Sequence, residues 1–239
     1  MQSENIQRKL FLIGGTGGGP TAYPFRSELW RHIVEGVGQP HIGFLITPST
    51  LTEGRINILQ LQQQHQSLLN SLGVTCEFID EKRFGAGEYG DSFAMLCITC
   101  GNTAGARAYW EKHNCEEMLL SLYRKGIPII GYSAGCIIFY ERASTDSVPG
   151  PSGATYGSME CMGVLQGAII PHADTQGQRV PDYQKVLHQD PITPALALGE
   201  EVMAVYRDES LSYLISPLED GFAAEVDVEG VTLLPVRDL

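Results

Sequence analysis

Gly131-Tyr132-Ser133-Ala134-Gly135 places a serine between two glycines, after the apolar run Ile127–Ile130 and before a second apolar stretch. Strand, sharp turn and helix in that order are the context in which a serine hydroxyl is lifted clear of a sheet edge as a nucleophile. The glycines leave room for a strained turn, and the helix start supplies N–H donors for a developing oxyanion. A serine nucleophile needs a base and a group that orients the base.

Two chain orders are open. An α/β-hydrolase esterase would use Ser133, then Asp174 or Asp182, then His188, but His188 lies in a charged helical segment and no His-Gly-Gly-Gly loop precedes it. The other order is Ser133, then His172, which follows the apolar run Gly167–Ile170 and a proline, then Glu200 or Glu201 in "ALALGEEVMAVY". A non-catalytic binding domain with a vestigial elbow is the reading outside enzymes.

Other motifs carry less chemistry. "GGTGGGPTA" contains a dinucleotide-type pattern at Gly17, Gly19 and Ala22, but the second predicted strand ends "LITPST", with no acid to hold a ribose, and Pro20 interrupts the turn. The stretch reads as a turn that brings backbone close to a site. Cys97 and Cys100 form a lone Cys-x-x-Cys, half of what a zinc site needs, and read as a core residue and a loop residue. His32, His65 and His113 fall on predicted helices beside polar residues and are expected to be solvated.

These groups need a frame. Residues 9–15, 42–49, 74–80, 93–102 and 127–133 read as strands, and 24–38, 55–73 and 106–126 as helical segments. Continuous apolar strands separated by helices imply an α/β fold, a mostly parallel sheet with helices on both faces. The strand ends "GGTGGGP", "TPST", "TCGNT" and "GYSAG" gather small and polar residues where such sheets bind ligands. Beyond residue 142 the chain reads as extra C-terminal strands that finish the sheet or pack beside it. One domain over 1–239 is expected.

The bulk numbers narrow the class. The chain has 239 residues and a net charge of −12, a field that repels phosphate backbones and disfavours nucleic acid as a partner. The first apolar run is too short for a secretory core or a membrane span. Six cysteines in a chain of this length need no disulfide framework. A soluble, cytoplasmic protein with reduced thiols is expected.

Several blocks in sequence order, "GGTGGGP", "TCGNTAGAR", "GYSAG", "GAIIPH" and "ALALGEEVMAV", resemble the dipeptidase E and cyanophycinase family of serine peptidases. The resemblance covers most of residues 8–205. The family's usual Gly-Gly-Asn stands here as Cys100-Gly101-Asn102. The resemblance implies a class I glutamine amidotransferase-like, flavodoxin-like fold, with Ser133 as nucleophile, His172 as base and Glu201 as orienter, Glu200 being adjacent. It further implies an oxyanion hole from Gly101 and Ala134, substrate contacts from Asn102 and Arg179, and no metal or organic cofactor. The implied partner is a small peptide, such as an aspartyl dipeptide or a β-aspartyl-arginine unit, taken by a monomer or homodimer. The single arginine at Arg179 and the proline before His172 depart from the cyanophycinase pattern.

Overall fold

The structure, a computed structural model, describes residues 6–17, 24–38, 40–52, 54, 56–192 and 194–239. The expected apolar runs form β1 (Lys9–Ile13), β2 (His41–Leu45), β3 (Thr75–Phe78), β4 (Met95–Ile98) and β5 (Ile129–Tyr132). They pair in parallel in the spatial order β1-β5-β4-β2-β3. Alternate side chains of β1 enter different cores. Leu10 and Leu12 join one apolar cluster, while Phe11 and Ile13 join another with Phe25, Leu29 and Trp30. Both faces of the strand are covered from Leu10 to Ile13, so that run is apolar throughout.

The connecting helices are α1 (Ser27–Val34), α2 (Thr47–Thr50), α3 (Ile58–Ser71), α4 (Glu81–Gly85), α5 (Thr103–His113), α6 (Cys115–Arg124) and α7 (Ala134–Ile137). The segment 106–126, expected as mostly helical, is two helices. Asn114 divides them in the left-handed conformation at φ 58°, which its short polar side chain tolerates better than most. No helix among the described residues is long and apolar enough to cross a membrane.

The second half both finishes the first sheet and builds another. Its elements are β6 (Tyr140–Thr145), β7 (Gly157–Glu160), β8 (Leu165–Ile170), α8 (Arg179–Gln189), β9 (Ala195–Leu198), β10 (Met203–Arg207), β11 (Ser210–Ser216), β12 (Ala223–Val226), β13 (Val231–Leu233) and β14 (Arg237–Asp238). Among the described residues, β10, β11 and β14 extend the first sheet to eight strands, with β10 antiparallel to β1. The other six strands form a second sheet in the order β13-β12-β9-β8-β6-β7, parallel at its centre.

A shared core joins the sheets. Leu10, Leu12, Leu96 and Ile98 of the first cluster with Ala143, Leu165, Ile169 and Leu198 of the second. Ala168, Ile170 and Ala197 point away from that core and pack with Tyr183 and Leu187 of α8. Each fully buried Leu or Ile stabilises this arrangement by roughly 1.5–3 kcal/mol. The ends of β1, β5, β8 and β9 therefore meet along the seam between two sheets.

Candidate active site

β5 ends at Tyr132, Ser133 turns back at φ 52° and ψ −114°, and α7 begins at Ala134. The two flanking glycines are dictated by backbone packing. A Cβ on Gly131 would overlap the Gly135 carbonyl, and one on Gly135 would overlap the Ile98 carbonyl at the end of β4. The Ser133 N–H donates to Ile13 O at 3.0 Å, fixing the turn to β1. A non-glycine residue in this conformation costs on the order of 1–3 kcal/mol, and such strain collects at functional sites.

Tyr132, beside the serine, faces the core. Its hydroxyl meets His65 Nε2 at 3.2 Å and its ring meets the edge of Phe25. This corrects the expectation of a solvated His65, which is fully buried on α3. Burial pushes the His65 pKa down to about 4, so the ring is neutral at physiological pH. Its Nδ1 lies 2.8 Å from Leu61 O, which can only accept, so Nε2 accepts from the tyrosine.

His172 follows β8 and Pro171, with φ 53°. Its Nε2 lies 2.7 Å from Ser133 Oγ and its Nδ1 lies 2.6 Å from Glu200 Oε1. The carboxylate beside His172 is thus Glu200, which corrects the expected Glu201. Both glutamates sit in the turn from β9 to β10, where Glu201 has φ 56° and its N–H donates to Gly15 O at 3.0 Å. That geometry sends the two side chains apart. Glu200 Oε1 also accepts from Thr175 Oγ1 at 3.0 Å, and Oε2 accepts from Gly17 N–H at 2.8 Å. Asp174 in turn accepts the Glu200 N–H at 3.0 Å. Glu201 instead accepts the Arg26 N–H at 3.1 Å.

The two carboxylates differ in acidity accordingly. Burial alone would raise Glu200, but hydrogen bonding and charge from His172, with the Gly17 and Thr175 donors, hold it at about 2. Burial dominates at Glu201 and drives it up to about 7.

The alternative esterase set does not assemble. His188 is exposed on α8. Asp182 is buried and accepts the N–H groups of Thr155 and Tyr156, while Asp174 is engaged with the Glu200 backbone. The glycine stretch has a visible task in its first half. A Cβ on Gly15 would overlap Glu200 Oε2 and His172 Nδ1, so this glycine clears space for the relay. Gly19, Pro20 and Ala22 of the dinucleotide-type pattern lie outside the described residues, and the Gly17 N–H is spent on Glu200. Cys97 is a core residue of β4 and Cys100 a loop residue, and no disulfide joins any two of the six cysteines.

A pocket of about 730 Å³ opens above Ser133 and His172, bordered by Gly101, Asn102, Asp146 and Arg179. That volume suits a small ligand. Gly101 has φ 135°, and a Cβ there would overlap Pro48 O. No described residue accepts the N–H of Gly101 or of Ala134 by a backbone or side-chain hydrogen bond. Asn102 lines the pocket while its Oδ1 caps α5 through the Gly105 N–H at 2.8 Å. Arg179 is not a surface residue: it is 4% exposed, donates to Ser144 O at 2.9 Å and to Gln176 Oε1 at 2.8 Å, and lies 4.2 Å from the Tyr156 ring centroid. Burial lowers its pKa, but a guanidinium stays charged at neutral pH.

Sequence reasoning missed Thr175 and Asp146 as parts of the site, named Asp174 only as an acid of the esterase order, and gave Gly15 no task beyond its place in the glycine turn. The polar loop "HADTQGQR" was a signal for two of them, since it opens with His172. Nothing local marks Asp146, and the glycine turn does not by itself reveal what Gly15 makes room for.

A serine, a histidine and a glutamate in hydrogen-bonded series, beneath a pocket at the strand ends of an α/β fold, have the layout of a hydrolytic enzyme. Residues 55–214 match the model of peptidase family S51, and the chain belongs to that family of serine peptidases. The resemblance drawn from the sequence blocks is borne out at that level. The uncharacterized peptidase YgaJ of Bacillus subtilis (strain 168) is 32% identical over 93 residues, which span 39% of this chain and 38% of that protein. The crystal structure of a peptidase from an acI-B1 Actinobacterium superposes with a TM-score of 0.71 at 14% identity, covering 98% of this chain and 96% of the other. A candidate peptidase E protein from Listeria monocytogenes EGD-e gives a TM-score of 0.61 at 16% identity, covering 86% and 96% respectively. At these identities the structural matches speak for the fold.

Proposed function

We propose that this protein is a cytoplasmic serine exopeptidase that hydrolyses short peptides through Ser133, His172 and Glu200. The observation that carries this reading is the unbroken relay of 2.7 Å and 2.6 Å beneath a pocket large enough for a dipeptide. In this mechanism Ser133 Oγ attacks the peptide carbonyl carbon as its proton passes to His172 Nε2. Glu200 holds Nδ1–H and balances the imidazolium that forms. The Gly101 and Ala134 N–H groups receive the oxyanion, each such donor being worth about 2.7–4 kcal/mol. His172 then protonates the leaving amine, and a water deprotonated by the same nitrogen releases the acyl group.

The pocket favours substrates with a carboxylate near the scissile bond, as in aspartyl or β-aspartyl peptides. Arg179 is the supporting cation, with its guanidinium oriented by Ser144 O, Gln176 and the Tyr156 ring. Ser133→Ala is expected to abolish hydrolysis across a dipeptide library while leaving the thermal midpoint within a few degrees of the parent. Retained turnover in that variant would overturn the reading.

A further inference from the structure

Glu81 is a buried carboxylate that the proposed reaction does not use. It is 6% exposed and has no ion-pair partner among the described residues. Its donors are the Thr47 N–H, at 2.7 Å from Oε1, and the Thr47 hydroxyl and Trp110 indole N–H, both on Oε2. Thr47 opens α2, and that single turn also grips the loop carrying Gly101. Pro48 O accepts the Asn102 N–H at 2.9 Å. Ser49 Oγ donates to Cys100 O at 2.6 Å and lies 2.8 Å from Thr99 Oγ1. Ser49 is 1% exposed. Gly101 therefore sits between two neighbours held by consecutive residues of α2, with its own backbone packed against Pro48 O.

We propose that Ser49 and Glu81 are positioning residues for the Gly101 oxyanion donor, Ser49 by holding the Cys100 carbonyl and Glu81 by holding the turn that carries Ser49 and Pro48. Neither touches substrate. Residues 100–102 lie at the end of β4 and gain their direction from α2, on the neighbouring strand end, through these contacts. The inference rests on Ser133 being the nucleophile and Gly101 a donor to its oxyanion, because only then does the placement of that N–H matter.

Ser49→Ala and Glu81→Gln test it by two readouts. In steady-state hydrolysis of a dipeptide substrate, kcat is expected to fall roughly 10- to 100-fold with KM within about twofold, since small misplacement of a catalytic group costs that much. In amide hydrogen exchange, the peptide spanning residues 99–105 is expected to exchange faster in both variants, with strands β1 and β5 unchanged. Parental kcat in Ser49→Ala, or parental exchange of 99–105, would overturn the proposal. So would a loss in which KM rises and exchange quickens throughout the protein, the signature of a merely structural role. If the parent protein itself hydrolyses no dipeptide, the proposed function fails, while the exchange readout still decides whether α2 fixes the loop.

Discussion

Glu200→Gln keeps the size of the side chain but removes the charge facing His172 Nδ1 and offers that nitrogen an amide. A drop of roughly 10³–10⁴ in kcat is expected, as for the acid of other serine relays. Glu201→Gln leaves the relay intact, so its kcat/KM on the same dipeptide should stay within about threefold of the parent. Equal losses in the two variants would refute the assignment. The pair also differs in pH dependence. Glu201 titrates at about 7 in the folded protein against an ordinary 4.5, so its contribution to stability is complete below about pH 4.5 and is lost as pH rises through 7. The thermal midpoint of the parent relative to Glu201→Gln should therefore decline between pH 4.5 and 8. A flat difference would contradict the burial of a protonated carboxyl. Glu200, depressed to about 2, contributes stability above about pH 4.5 that is lost as pH falls through 2.

At the level of elements, two glycines at strand ends separate stability from chemistry. Gly135→Ala sets a methyl against the Ile98 carbonyl, backbone against backbone, so α7 must move off β4. A loss of about 2–4 kcal/mol in urea unfolding is expected, with activity lost as well. Gly15→Ala meets the ends of two side chains, Glu200 and His172, which can swing aside. Its unfolding free energy should fall by no more than about 1 kcal/mol, while kcat falls on the order of 100-fold as the relay is displaced. The opposite ranking would mean that Gly15 serves packing alone. The elbow was legible in sequence because strand, turn and helix are local patterns with local glycines. The role of Gly15 was not, because the atoms it makes room for lie 157 and 185 residues further along the chain.

At the level of the whole molecule, the site depends on two sheets keeping their relation. Ser133 ends a strand of the first sheet, His172 ends a strand of the second, and Glu200 lies in the turn that passes between them. Tyr140 of β6 and Tyr206 of β10 join the sheets directly, their buried hydroxyls 2.8 Å apart. Tyr140→Phe leaves the Tyr206 hydroxyl buried without that partner and is expected to cost about 1–3 kcal/mol. Tyr140→Phe/Tyr206→Phe removes both hydroxyls and should cost less than the two single changes added together, which a double-mutant cycle by urea unfolding will show. Strict additivity would mean that the pair does not couple the sheets.

Local pattern alone sufficed for the five parallel strands, the small and polar residues at their ends, Ser133 on its turn, His172 after its proline and the family they mark. Each is carried by a local period or a contiguous block. The folded chain was needed to show that Glu200 rather than Glu201 meets His172, that His65 is buried against Tyr132, that Arg179 lines the pocket and that the later strands divide between two sheets. In a turn with a left-handed residue, a side chain's direction follows the partners of the backbone. Here the Glu201 N–H bonds to Gly15 O and the Glu200 N–H to Asp174, contacts between distant parts of the chain that no local pattern records.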